Sequence, residues 1–97
     1  MGVVALVSAI KTLNSIGMKN IERHEANLTR YAIKQLKQIS DIQLYGDIKN
    51  IDKRVGIIPF NIDNLHHALV AEALSWEFGI AVRSGCFCAQ PYIQKLL

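Results

Sequence analysis

Apolar positions recur at helical spacing at the start of the chain, where Val3, Leu6, Ile10 and Leu13 fall on one stripe that Val7 widens. Ser8, Lys11, Thr12 and Ser15 lie off that stripe. The pattern predicts a first helix from about residue 3 to 15, stopped by Gly17. A longer helix follows from about Lys19 to Ile39, because Ile21, Leu28, Ala32 and Ile39 share one side at 3.6 residues per turn. Lys19, Arg23, Arg30, Lys34 and Lys37 cluster on its opposite arc. Such a stripe can meet phosphates, but a solvated outer face has the same appearance, and no aromatic or glycine-rich element accompanies it. We expect no nucleic-acid partner.

Between Asp41 and Tyr45 the period changes to two, with Ile42 and Leu44 alternating against Gln43 and Tyr45, which is the pattern of a half-buried strand. Gly46, Asp47, Asn50 and Asp52 form a polar connection. Arg54 to Ile62 reads as a second strand carrying Ile57, Ile58, Phe60 and Ile62, with Pro59 marking an edge or a bulge because it cannot donate a ladder hydrogen bond. Asp63 is then a suitable N-cap for a third helix from about Asn64 to Phe78. Leu65, Ala68, Leu69, Ala73 and Trp76 form one apolar stripe of that helix, and Val70, Ala71, Leu74 and Phe78 a second. Two stripes predict a sandwiched helix. Gly79 is a helix stop, Ile80 to Val82 a short buried strand, and Pro91 suits the first turn of a terminal helix with Tyr92, Ile93, Leu96 and Leu97. The fold class is α+β, a small and mainly antiparallel sheet packed with helices.

Composition narrows this reading. The 97 residues make one domain, and 51% apolar with 20% charged residues is the balance of a folded protein. The formal charge of +3 is too small to identify a partner. The first seven residues are apolar, yet they lack a basic flank and meet Lys11 too early to span a bilayer, so no membrane segment is expected. An apolar start and a terminal helix that has barely begun suggest a fragment of a larger chain. The cysteines are Cys86 and Cys88 alone, a spacing that does not readily bridge, which favours a reducing, cytoplasmic setting over a disulfide framework.

Candidate chemistry concentrates between Gly79 and Pro91, where an apolar run hands over Arg83, then Ser84 and Gly85, then the two thiols. A cation beside a thiol favours the reactive thiolate. Two small buried hydrophobes would look the same, and Arg83 fits a strand-end salt bridge as well as an anion site. If the segment is extended, Phe87 points away while Cys86 and Cys88 share a face, and they can pair or exchange sulfur only if the backbone bends. Metal binding lacks ligands beyond His24, His66 and His67, so no metal site is expected. Nothing in the sequence brings a histidine to either thiol, and His66 and His67 read as surface or packing residues.

The run Gly79-Ile-Ala-Val-Arg-Ser-Gly-Cys-Phe-Cys-Ala-Gln-Pro91 resembles the active-cysteine segment of class V aminotransferase-like enzymes. It resembles in particular the SufS-type branch of cysteine desulfurases and selenocysteine lyases, whose pattern is Arg-x-Gly-His-His-Cys-Ala-x-Pro. Arg54 to Ile62 resembles the strand before that family's last long helix, and the opening helices resemble the start of its C-terminal domain. The resemblance implies the small C-terminal domain of a fold-type I pyridoxal-phosphate enzyme, in which Cys88 takes the nucleophile position and Arg83 that of the segment's arginine. Cys86 and Phe87 replace the pattern's two histidines, making Cys86 a possible second thiol. No segment matches the cofactor-binding lysine or the later carboxylate-binding arginine.

The resemblance therefore implies a missing large domain that binds pyridoxal 5'-phosphate, a homodimer when full length and a sulfur-acceptor protein as partner. It implies no cofactor and no activity for these residues alone. The reaction implied is removal of sulfur from L-cysteine through a cysteine persulfide, leaving alanine. Other class V activities, or a binding or scaffold domain that keeps the fold without the chemistry, are the competing readings.

Overall fold

In the computed structural model, which describes residues 1–96, the elements run α1 (Gly2–Ile16), α2 (Met18–Leu36), β1 (Ile42–Leu44), β2 (Phe60–Ile62), α3 (His67–Phe78) and α4 (Gln90–Leu96), with a 3-10 turn at Ile51–Lys53. The α+β expectation holds. Strands β1 and β2 pair antiparallel, with Ile42 opposite Ile62, Gln43 opposite Asn61 and Leu44 opposite Phe60. Asn61 Nδ2 also donates to the Tyr45 hydroxyl at 3.0 Å, fastening the end of the ladder.

Gly17 makes the corner between the first two helices. Its φ of 94° and ψ of 119° lie where side chains are rarely tolerated, and its amide closes α1 onto the Leu13 carbonyl. Asn20 Nδ2 covers the Ile16 carbonyl at 2.8 Å, satisfying a second free acceptor of that helix end.

The most deeply buried face of α2 is turned from the stripe its periodicity predicts. On that stripe Ile21 and Ala32 are half-buried, Leu28 is exposed and Ile39 lies beyond the helix end at Leu36, whereas Thr29 and Ile33 are the two buried residues among those described, flanked by half-buried Ala26 and Leu36. The face is legible only once Thr29 is counted as internally satisfied, its hydroxyl donating to the Glu25 carbonyl at 2.8 Å. The basic residues of α2 are exposed, and Arg30 alone among the described residues makes an ion pair, at 3.8 Å from Asp52.

The second strand is shorter than the predicted Arg54–Ile62. Arg54 is turned into a loop instead, donating to the carbonyls of Asp47 at 3.1 Å and Ile57 at 2.6 Å. Those bonds hold the 47–57 connection closed, and Pro59 precedes the strand with its carbonyl accepting from the Tyr45 amide. Helix α3 begins at His67 rather than Asn64. Asn64 has a φ of 63°, which a helix cannot use, and the cap is His66, whose Nδ1 accepts from the Ala68 amide at 3.3 Å.

Helix α3 lies beside β2 and is not sandwiched. Val70, Ala71, Ala73 and Leu74 are half-buried, while Leu69 and Trp76 remain exposed, Trp76 at 83%. Gly79 ends the helix at a left-handed φ of 66°, letting its own amide and that of Ile80 return to the Ser75 and Leu74 carbonyls. Ile80 to Val82 lead away without pairing as a strand. Residues 85–88 form a turn, and α4 begins immediately before Pro91, as its place in a first helical turn requires.

Candidate functional site

Residues 85–88 form a turn, so the extended conformation in which Cys86 and Cys88 would share a face is not the one adopted. The Ala89 amide donates to the Cys86 carbonyl at 2.7 Å, and both residues between them have positive φ, 34° at Phe87 and 64° at Cys88. That is the sense of a mirror-image type I′ turn, which glycine and asparagine normally occupy. Phenylalanine and cysteine in these positions store backbone strain of the order of 1–3 kcal/mol each. Gly85, with φ of 78°, admits the turn without that cost.

The same turn forms one wall of a cavity of about 700 Å³. Ile57 to Ile62 and the half-buried side of α3 form other walls, so the lining is largely apolar. Arg83, Ser84, Cys86 and Phe87 also line it. Arg83 extends over Phe87, with its guanidinium carbon 5.8 Å from the ring centroid, and makes no hydrogen bond or ion pair among the described residues. A cation without a counter-charge at the mouth of an apolar cavity is equipped to receive an anion. Both thiols are free and exposed, but only Cys86 lines the cavity.

His67 is the residue that sequence reasoning missed. Because His66 is spent as the helix cap, His67 opens the first turn of α3 and lines the cavity with Cys86. Its Cε1 approaches the cysteine turn closely enough that a Cβ at Gly85 would lie 3.6 Å away. A histidine at the start of one element and a turn eighteen residues later meet only through the packing of α3 against the loop, and no local spacing encodes that contact. Among the described residues, no group of three metal-ligating side chains occurs, and no helix is long and apolar enough to cross a membrane.

The model of the aminotransferase class-V family matches residues 1–97. The chain belongs to that family. Among curated relatives, a probable cysteine desulfurase of Staphylococcus aureus is 42% identical over 93 residues, and one of Staphylococcus epidermidis is 40% identical over 93 residues. In each case the match covers 96% of this chain and 22% of the relative, so the chain spans about a fifth of the length of these relatives. The fold-type I assignment of this α+β chain rests on the same membership.

Proposed function

We propose that the chain is the small C-terminal domain of a cysteine desulfurase-like enzyme, contributing the thiol that takes sulfur from L-cysteine and leaves alanine. The observation carrying this reading is the strained turn that holds Cys86 in the cavity lining with Arg83 and Cys88 just outside it, in a chain similar to probable cysteine desulfurases along 96% of its length. Cys88 is the nucleophile in this reading, by its position in the segment. Arg83 is the group that steadies the thiolate or the substrate's charge, and Cys86 is a second thiol on the cavity side.

Class V enzymes generally depend on pyridoxal 5'-phosphate, but this chain does not fit the cofactor's anchor. No lysine lines the cavity, so the Schiff-base lysine belongs in the remainder of the protein. The cytoplasmic location, the homodimer and the sulfur-acceptor protein belong to this proposal as well. The chemistry assigned to these residues is confined to sulfur: the Cys88 thiolate attacks the substrate sulfur, the bond from that sulfur to the substrate β-carbon breaks with its electron pair left on the carbon, which takes up a proton to become the methyl group of alanine, and Cys88 retains the sulfur as a persulfide.

The test uses full-length protein carrying this chain, loaded with pyridoxal phosphate and supplied with L-cysteine. Cys88→Ser is expected to bring alanine and sulfide formation down to background. Turnover that survives Cys88→Ser but is abolished by Cys86→Ser overturns the assignment of the nucleophile, and absence of any turnover in the unmodified protein overturns the reaction.

A further inference from the structure

The two thiols differ in surroundings although a single residue separates them. Cys86 lines the cavity with Arg83 and His67, whereas Cys88 lies in the turn outside that lining. In an extended strand the two would stand about 6.7 Å apart at the Cα atoms, given a rise of roughly 3.3–3.4 Å per residue. The turn closes this span further, because its ends, Cys86 and Ala89, are joined by a 2.7 Å hydrogen bond across the left-handed Phe87 and Cys88. The turn thus shortens the backbone span that the transferred sulfur has to cross.

We propose that Cys86 is a second persulfide site, loaded from Cys88 and holding its sulfur in the cavity beside Arg83. The proposal rests on the reading of Cys88 as the first sulfur acceptor. In the transfer, the Cys86 thiolate attacks the outer sulfur of the Cys88 persulfide. A bond forms between Cys86 Sγ and that sulfur, the bond from Cys88 Sγ to it breaks, and the proton given up by Cys86 ends on the Cys88 thiolate. One persulfide replaces another, so nothing is oxidised or reduced overall and no external reductant enters. Attack on the inner sulfur instead would expel sulfide and leave a Cys86–Cys88 disulfide, which must then be reduced before another cycle.

The cavity favours the transferred sulfur through Arg83, which has no anionic partner among the described residues and offers charge-assisted hydrogen bonds to a perthiolate. Once its sulfur has passed on, Cys88 is free to receive the next one. His67, against the same turn, is placed to steady it through packing.

The experiment incubates full-length, cofactor-loaded protein with L-cysteine, alkylates it, and locates added sulfur by fragment-ion mass spectrometry of the peptide that carries both cysteines. Unmodified protein is expected to carry added sulfur on Cys86, Cys86→Ser to hold it on Cys88 only, and Cys88→Ser to lose it from both positions. Sulfur confined to Cys88 in the unmodified protein, or an internal disulfide accompanied by free sulfide, overturns the transfer and leaves the desulfurase reading standing. Added sulfur on Cys86 in Cys88→Ser shows direct loading and overturns the relay together with the assignment of Cys88. With neither cysteine modified and no alanine formed, the desulfurase reading and the relay fall together.

Discussion

Individual side chains decide where this backbone bends, and the clearest case is Asp47. Its carboxylate accepts from Asn50 Nδ2 at 2.9 Å and from the amides of Asn50 and Lys49 at 3.0 Å. The Asn50 side-chain bond first, then the two amide bonds, hold its carboxyl below the ordinary carboxylate range, with a smaller contribution from the Arg54 guanidinium. Because the folded value is depressed, the contribution to stability is present above the ordinary carboxylate range and is lost as pH falls through the folded value. We expect Asn50→Ala to move the Asp47 titration midpoint upward, measured by carboxyl carbon NMR. An unmoved midpoint would mean that the side-chain bond is not the main cause. The polar run Gly46, Asp47, Asn50 and Asp52 marked the connection in the sequence, but Arg54 looked like a strand residue because its two carbonyl partners, Asp47 and Ile57, are set by how the loop closes.

At the level of elements, the sequence was legible wherever local pattern and local chemistry agree. Both opening helices, the Ile42–Leu44 strand, the Gly79 stop and the Pro91 start lie where periodicity and punctuation put them. It failed where tertiary contact overrides pattern. The buried face of α2 runs through Thr29, a polar residue whose hydroxyl is satisfied within its own helix. The turn at residues 85–88 uses left-handed phenylalanine and cysteine, which no turn preference anticipates. The nearness of Arg83 and the two cysteines along the chain was plain from their spacing, but that Cys86 lines the cavity with Arg83 while Cys88 does not was hidden, as was the proximity of His67, which depends on the docking of α3.

The Gly17 corner gives this level its prediction. A Cβ there would meet Asn20 Nδ2 at 2.9 Å and would force a side chain into a conformation reserved for glycine. Gly17→Ala is therefore expected to destabilise the protein by about 1–3 kcal/mol, read from the denaturant midpoint. A loss within about 0.5 kcal/mol, the range of ordinary surface changes, would show that the corner is relaxed.

For the molecule as a whole, surface area is the quantity that decides. A compact monomer of 10.9 kDa is expected to expose roughly 5,600 Å², whereas this chain exposes 8072 Å². Its radius of gyration is 16.3 Å, against about 13 Å for a compact domain of about 100 residues. Large apolar side chains contribute to the excess. Helix α1 has no buried residue, and Val3, Val4 and Leu6 are exposed at 76%, 73% and 61%, as is Trp76 on α3. A surplus of roughly 2,500 Å² is on the scale of a substantial protein interface. Under the proposed function a larger cofactor-binding domain would cover part of it. Left in water, such patches drive association. These 97 residues expressed alone are accordingly expected to self-associate, with a sedimentation coefficient that rises with concentration. A monodisperse monomer across a hundredfold concentration range, with a cooperative denaturant transition, would show that the exposed α1 and α3 faces need no cover and that the domain is complete without a partner.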